Sequence, residues 1–185
     1  MHRLLIALPA LLALAGCGLL FAEFEVPRAT VTIKNQTFPA TGPGVPLVKE
    51  VVFPIGSDLT SINDEGVSFE LRLVTMDVTL AATSPTADFG DIQSVTVSVL
   101  PPTGLTLPEE AIIASYVQSP ADPDPTSISV AAMTNLDLSP YILAGDLRLE
   151  FVAVSATGGI IPAWIADVGG TFYLKVRADY ADALK

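Results

Sequence analysis

The sequence predicts an all-β protein, a single antiparallel β-sandwich of immunoglobulin-like or jelly-roll type. Three observations lead there. Apolar and polar residues alternate with a period of two in one run after another, as strands with one buried face require. Clusters of Gly, Pro, Asn and Asp interrupt these runs at roughly 8–12-residue intervals, the spacing of turns in a sandwich. Only one short helical signal is present. Pattern alone does not choose between the two topologies, and a barrel stays open.

Taken in order, Val31 and Ile33 alternate with Thr30, Thr32 and Lys34 in the first run. Val51, Phe53 and Ile55 make the second, where Pro54 points to an edge strand because it cannot donate to a ladder. The run from Val67 to Ala82 is the longest. Val67, Phe69, Leu71 and Leu73 share one parity while Met76, Val78 and Leu80 share the other, so a β-bulge, or a bend between sheets, is expected near Val74-Thr75. Val95, Val97 and Val99 form a strand stopped by Pro101-Pro102. Ala111 to Val117 and Ile128 to Met133 flank the loop SPADPDPTS, whose prolines exclude regular pairing. Ser139-Pro140 resembles a helix start and Gly145 a stop, which predicts a single helical turn over 140–144. Leu147, Leu149, Phe151 and Ala153 alternate with Arg148 and Glu150; Phe172, Leu174, Val176 and Ala178 alternate with Tyr173, Lys175, Arg177 and Asp179. The pairs Gly158-Gly159 and Gly169-Gly170 read as turns.

The first residues carry a different message. Met1-His2-Arg3 is a short basic opening, and Leu4 to Ala15 has the length of a signal-peptide apolar region rather than of a bilayer span. The sole cysteine follows at once in Leu14-Ala15-Gly16-Cys17. Those four residues resemble the bacterial lipobox, at which a diacylglyceryl group is attached to the cysteine sulfur and the chain is cut between Gly16 and Cys17. The resemblance implies a signal peptide over 1–16, a lipidated tether over 17–27 and a sandwich domain over 28–185. It further implies a membrane partner reached through the lipid, since two or more acyl chains hold firmly at about 0.8 kcal/mol per buried CH₂. Gly18 stands where Asp would favour the inner membrane, which implies an address in the outer membrane of the cell envelope. Two other readings of the segment compete: an uncleaved anchor over Leu4 to Ala22, weakened by Gly16 and Gly18, and ordinary cleavage after Ala22, weakened by Leu20 three positions upstream. Leu19, Leu20 and Phe21 either settle at the membrane interface or pack on the domain's edge. An outer-membrane barrel is disfavoured, because no aromatic girdle is evident and a lipid tether would be redundant.

Composition removes whole classes of chemistry. Cleavage takes away His2, the one histidine, and lipid consumes the one thiol. The domain then has no Ser-His-Asp or Cys-His nucleophile, no histidine or thiolate metal site and no disulfide. Loss of Arg3 leaves eight Lys+Arg against twenty Asp+Glu, a formal charge of −12 that repels nucleic acid. No phosphate-cradling glycine motif occurs, so no cofactor is expected.

The candidates that remain are few. Asp122 and Asp124, and Asp64 and Glu65 within Asn63 to Gly66, place oxygen ligands on loops, weak calcium candidates beside the plainer reading of solvated acidic turns. Trp164 is a weak candidate for ligand binding, stacking on a sugar if exposed, though Ile161 and Ile165 beside it favour burial. Tyr116, Tyr141, Tyr173 and Tyr180 are too dispersed for a sugar platform. Glu70 and Asp77 would have to come close together to hydrolyse a glycoside; outward-pointing charge explains them more simply. Arg148 with Glu150, and Arg177 with Asp179, read as ordinary exposed-face charges. The sequence therefore favours a non-enzymatic envelope lipoprotein, a structural or interaction module for an unknown envelope protein or glycan. A carbohydrate- or calcium-binding module is the alternative, and a carboxylate hydrolase the third.

Overall fold

A computed structural model describes residues 21–56, 67–102, 111–142 and 146–179. They form eight strands: β1 (Phe21–Phe38), β2 (Leu47–Phe53), β3 (Val67–Leu80), β4 (Ile92–Leu100), β5 (Ala111–Val117), β6 (Ser127–Ala131), β7 (Leu147–Ser155) and β8 (Trp164–Asp179). A single helical turn, α1 (Ser139–Ile142), joins β6 to β7, and a 3-10 turn at Ala156–Gly158 follows β7. The strands make two antiparallel sheets, ordered β1-β8-β3-β6 and β2-β7-β4-β5.

That order resolves the topology. Four pairs are nested one inside another: β4 with β5, β3 with β6, β2 with β7 and β1 with β8. The chain is a long hairpin rolled across itself, which is the jelly roll; in the immunoglobulin arrangement the first strand pairs with the second instead. One core lies between the sheets. Phe38, Met76, Val78, Val168 and Phe172 enter it from one side, and Val51, Phe53, Val97, Leu149 and Phe151 from the other.

Local patterns explain most elements. β2 is an edge strand ending at Phe53, just before Pro54. In β3 the pairing with β8 skips Val74, between Leu73↔Phe172 and Thr75↔Thr171. The bulge returns Met76 and Val78 to the face already occupied by Leu71 and Leu73, and the strand stays in one sheet.

Elsewhere the structure differs from the expectation. β1 starts at Phe21, so residues 21–27, expected as tether, pair with β8 from Phe21↔Asp179 to Val26↔Leu174. Gly169-Gly170 is not a turn but lies within β8. A Cβ on Gly170 would stand 2.7 Å from the Phe172 ring and 3.3 Å from that of Phe53, so the two rings occupy the space a side chain would need. The helical turn is seen over Ser139–Ile142, and Gly145 lies outside the described residues. Ser139 is itself the first residue of the turn. Asp137 does the holding, accepting bonds from Ser139 N at 2.9 Å, Ser139 Oγ at 2.8 Å and Leu71 N at 3.1 Å, which ties the turn to β3.

Candidate functional site

Most residues singled out in the sequence do not assemble. Gly16, Cys17, Asp64 and Glu65 lie outside the described residues, as does Tyr180. Trp164 is not a surface platform: it is 4% exposed, stacked on Phe38 at 3.8 Å between ring centroids, with Phe89 edge-on at 5.0 Å. The apolar cavity it helps to line, with Phe38, Met76 and Phe151, measures about 20 Å³, room for one water-sized sphere.

Asp122 and Asp124 sit on the loop between β5 and β6 and have different neighbours. Asp122 is exposed, and its charge, after burial, is the second cause holding the Tyr116 phenol above its ordinary value. Asp124 and Asp88 converge on Gly90, where an added Cβ would lie 2.7 Å and 2.9 Å from their Oδ1 atoms. Gln118, which carried no signal in the sequence, clamps this corner by donating from Nε2 to Gly90 O at 2.9 Å and to Pro123 O at 2.5 Å. Among the described residues no three of His, Cys, Asp and Glu are grouped to hold a metal ion. Glu70 and Asp77 both lie on β3, seven positions apart, which at the rise of a strand is about 20 Å. A glycosidase pair needs about 5–10 Å, so they do not form one.

A different constellation emerges on the outer face of β1-β8-β3-β6. Strand register sets its side chains in rows. Thr30, Thr171, Thr75 and Ala131 make the first; Thr32, Gly169, Asp77 and Ser129 the second; Asp167, Thr79 and Ser127 the third. Lys34 closes the third row from β1 through its ion pair with Asp167 Oδ2 at 2.6 Å. Because Gly169 has no side chain, a groove of about 250 Å³ opens over β8, bordered by Thr30, Thr32, Lys34, Asp77, Thr79 and Asp167.

Its polar groups are unequally used. Thr30 Oγ1 lies 3.3 Å from Thr171 Oγ1, and Thr79 Oγ1 2.9 Å from Ser127 Oγ. Asp167 accepts from Lys34 and, at 2.9 Å, from the backbone N–H of Asn35; these bonds hold its carboxyl below the usual carboxylate range. Asn35 reaches that position with φ of 53°, a left-handed conformation that Asn tolerates well. Asp77 is half-buried and has no hydrogen-bond or ion-pair partner among the described residues.

The other half of the same face is built differently. Glu23, Glu25, Glu70, Arg72, Lys175 and Arg177 fill it. Lys175 Nζ stands 2.9 Å from Glu23 Oε1, and Glu70 pairs with Arg72. Tyr173 shares a hydrogen bond with Glu25, the main cause raising its phenol above the ordinary value. One half is long and charge-paired; the other is short, hydroxyl-bearing and holds one unpaired carboxylate.

No protein-family model matches the chain, and no curated protein matches its sequence. Several solved structures are similar in shape. The decameric BFDV capsid protein aligns with 84% of this chain and 99% of its own at 11% identity and a TM-score of 0.41. Turnip yellow mosaic virus aligns with 82% of this chain and 80% of that one at 15% identity and 0.35. A carbohydrate-binding module of the β-sandwich superfamily aligns with 82% of this chain and 56% of its own at 10% identity and 0.30.

Proposed function

We propose that the chain is processed at Cys17 into a lipid-anchored protein of the bacterial outer membrane, whose jelly roll serves as a non-enzymatic interaction module. The observation that carries this reading is the place of Leu14-Ala15-Gly16-Cys17, which ends four positions before the first strand residue, Phe21. Four residues span at most about 14 Å. An acylated Cys17 would therefore hold the start of β1 at the bilayer, together with its partner Asp179 at the end of β8 and with Val67, which pairs with Ala178 on the far side of β8.

The remaining chemistry is in keeping with a binding role. After cleavage there is neither histidine nor free thiol, and the carboxylates of Glu70 and Asp77 are too far apart to share a substrate bond. The net charge turns polyanions away, leaving proteins or neutral glycans of the envelope as partners. The test is Cys17→Ala in cells fed labelled palmitate. The variant is expected to lose the label and to leave the membrane fraction; a labelled, membrane-retained variant would overturn the assignment.

A further inference from the structure

We propose that the outer-face groove over Gly169 is a binding site for a neutral saccharide, held by the Asp77 carboxylate and the surrounding threonine hydroxyls. The inference is independent of the lipid anchor. It begins from the contrast within one sheet face: one half is filled by charged side chains, whereas the other carries a single ion pair, Lys34 with Asp167, and the uncommitted Asp77. In the other half three strands present hydroxyls around a gap one side chain deep.

The chemistry of that gap narrows the ligand. Asp77 offers two acceptor oxygens and no donor, so its ligand must bring O–H or N–H groups, and neighbouring hydroxyls on a sugar ring supply two side by side. Thr30, Thr32 and Thr79 are exposed and can donate or accept, which matches the mixed character of sugar hydroxyls. Thr32 and Asp77 flank Gly169 from the strands on either side, about 9.5 Å apart at the backbone, leaving a flat floor on which a ring can lie. At about 250 Å³ the groove falls just short of the roughly 300–1,000 Å³ of sites for drug-sized ligands, the right order for one or two sugar units.

Other ligand classes fit less well. The one cation at the groove, Lys34, is engaged by Asp167, so an anionic ligand would meet Asp77 without compensation. A metal would find a single uncommitted carboxylate where calcium needs six to eight oxygens. An added peptide strand needs a free sheet edge, and β8 is paired on both sides, by β1 and β3.

The full-length protein in detergent micelles, labelled at threonine methyl groups, is titrated with maltotetraose, mannotetraose and galactotetraose and followed by NMR. At least one sugar is expected to shift Thr30, Thr32, Thr79 and Thr171 and to leave Thr86 unmoved. Asp77→Asn is expected to weaken binding roughly tenfold or more by removing a charge-assisted acceptor. Gly169→Ala fills the floor while its Cβ, 3.6 Å from Thr32 Oγ1, leaves the fold intact, and it is expected to weaken binding likewise. Glu70→Gln, in the charged half, is expected to bind as the parent does. Absence of shifts with all three sugars, or affinity unchanged in both groove variants, would overturn the proposal.

Discussion

Gly169 and Gly170 are adjacent and chemically identical, yet their surroundings separate them. An added Cβ at 169 meets nothing closer than 3.6 Å, whereas at 170 it runs into the Phe172 ring at 2.7 Å. Gly170→Ala is therefore expected to destabilise by about 1–3 kcal/mol, the cost of overpacking a filled core. Gly169→Ala should be nearly neutral, and chemical denaturation of the two variants measures the difference. Neither role was legible in the sequence, because a Gly-Gly pair is a local turn signal while the ring that fills the space above Gly170 is placed by tertiary packing. Asp137 was equally silent. It looks like one more loop acid until Leu71 of β3 is brought to its Oδ1. Asp137→Ala leaves three donors without their acceptor and is expected to lower stability by about 1–3 kcal/mol, read from the denaturation midpoint.

Among the strands, β3 shows how far period-two reading reaches. The parity change around Val74 announced an irregularity, and the paired register makes it a bulge of one residue. Deleting Val74 removes the extra residue and leaves unbroken alternation, with Leu71, Leu73, Met76 and Val78 all on the core face in the register they already hold with β8. The deletion variant is expected to keep a cooperative thermal transition, losing about 0.5–3 kcal/mol with the local twist and the hydrogen bond from Ala132 N to Val74 O; a non-cooperative melt would show that the strand depends on the extra residue. β1 was read too short for the converse reason. Its opening half, Phe21 to Val26, follows an apolar run and mixes acids with aromatics, so nothing local marks it as a strand; its pairing with β8 does.

The rolled hairpin places both ends of the described chain side by side, and the sequence carries twenty acidic residues against nine basic ones. Acidification therefore acts in two directions. It relieves repulsion among the excess carboxylates, and it removes the charge from the few that are paired. Glu50 is held below the usual carboxylate range chiefly by its hydrogen bonds from Arg148, at 2.7 and 2.8 Å, and Asp167 by those from Lys34 and Asn35. A carboxyl lowered in the folded state contributes stability above its unfolded pKa of about 4 and loses it as pH falls through the folded value. Relative to the double variant Glu50→Gln, Asp167→Asn, the parent is expected to lose more thermal stability between about pH 5 and pH 3. Both pairs are solvent-exposed and screened, so the difference is expected to be small, and melting curves across that window measure it.

The order of amino acids alone was enough for the class of fold, for a core of each of the eight strands and for an irregularity near Val74, because each follows from alternation within a few neighbouring residues. It also carries four contiguous residues, Leu14-Ala15-Gly16-Cys17, that resemble a lipobox. Folding in three dimensions chose the jelly roll over its rival, buried Trp164, kept Glu70 and Asp77 apart and set Gly169 between Thr32 and Asp77. Those outcomes depend on which strands pair and in what register, across separations such as the 137 positions from Thr32 to Gly169. Over that distance the common core has to fill before any local pattern can name its partner.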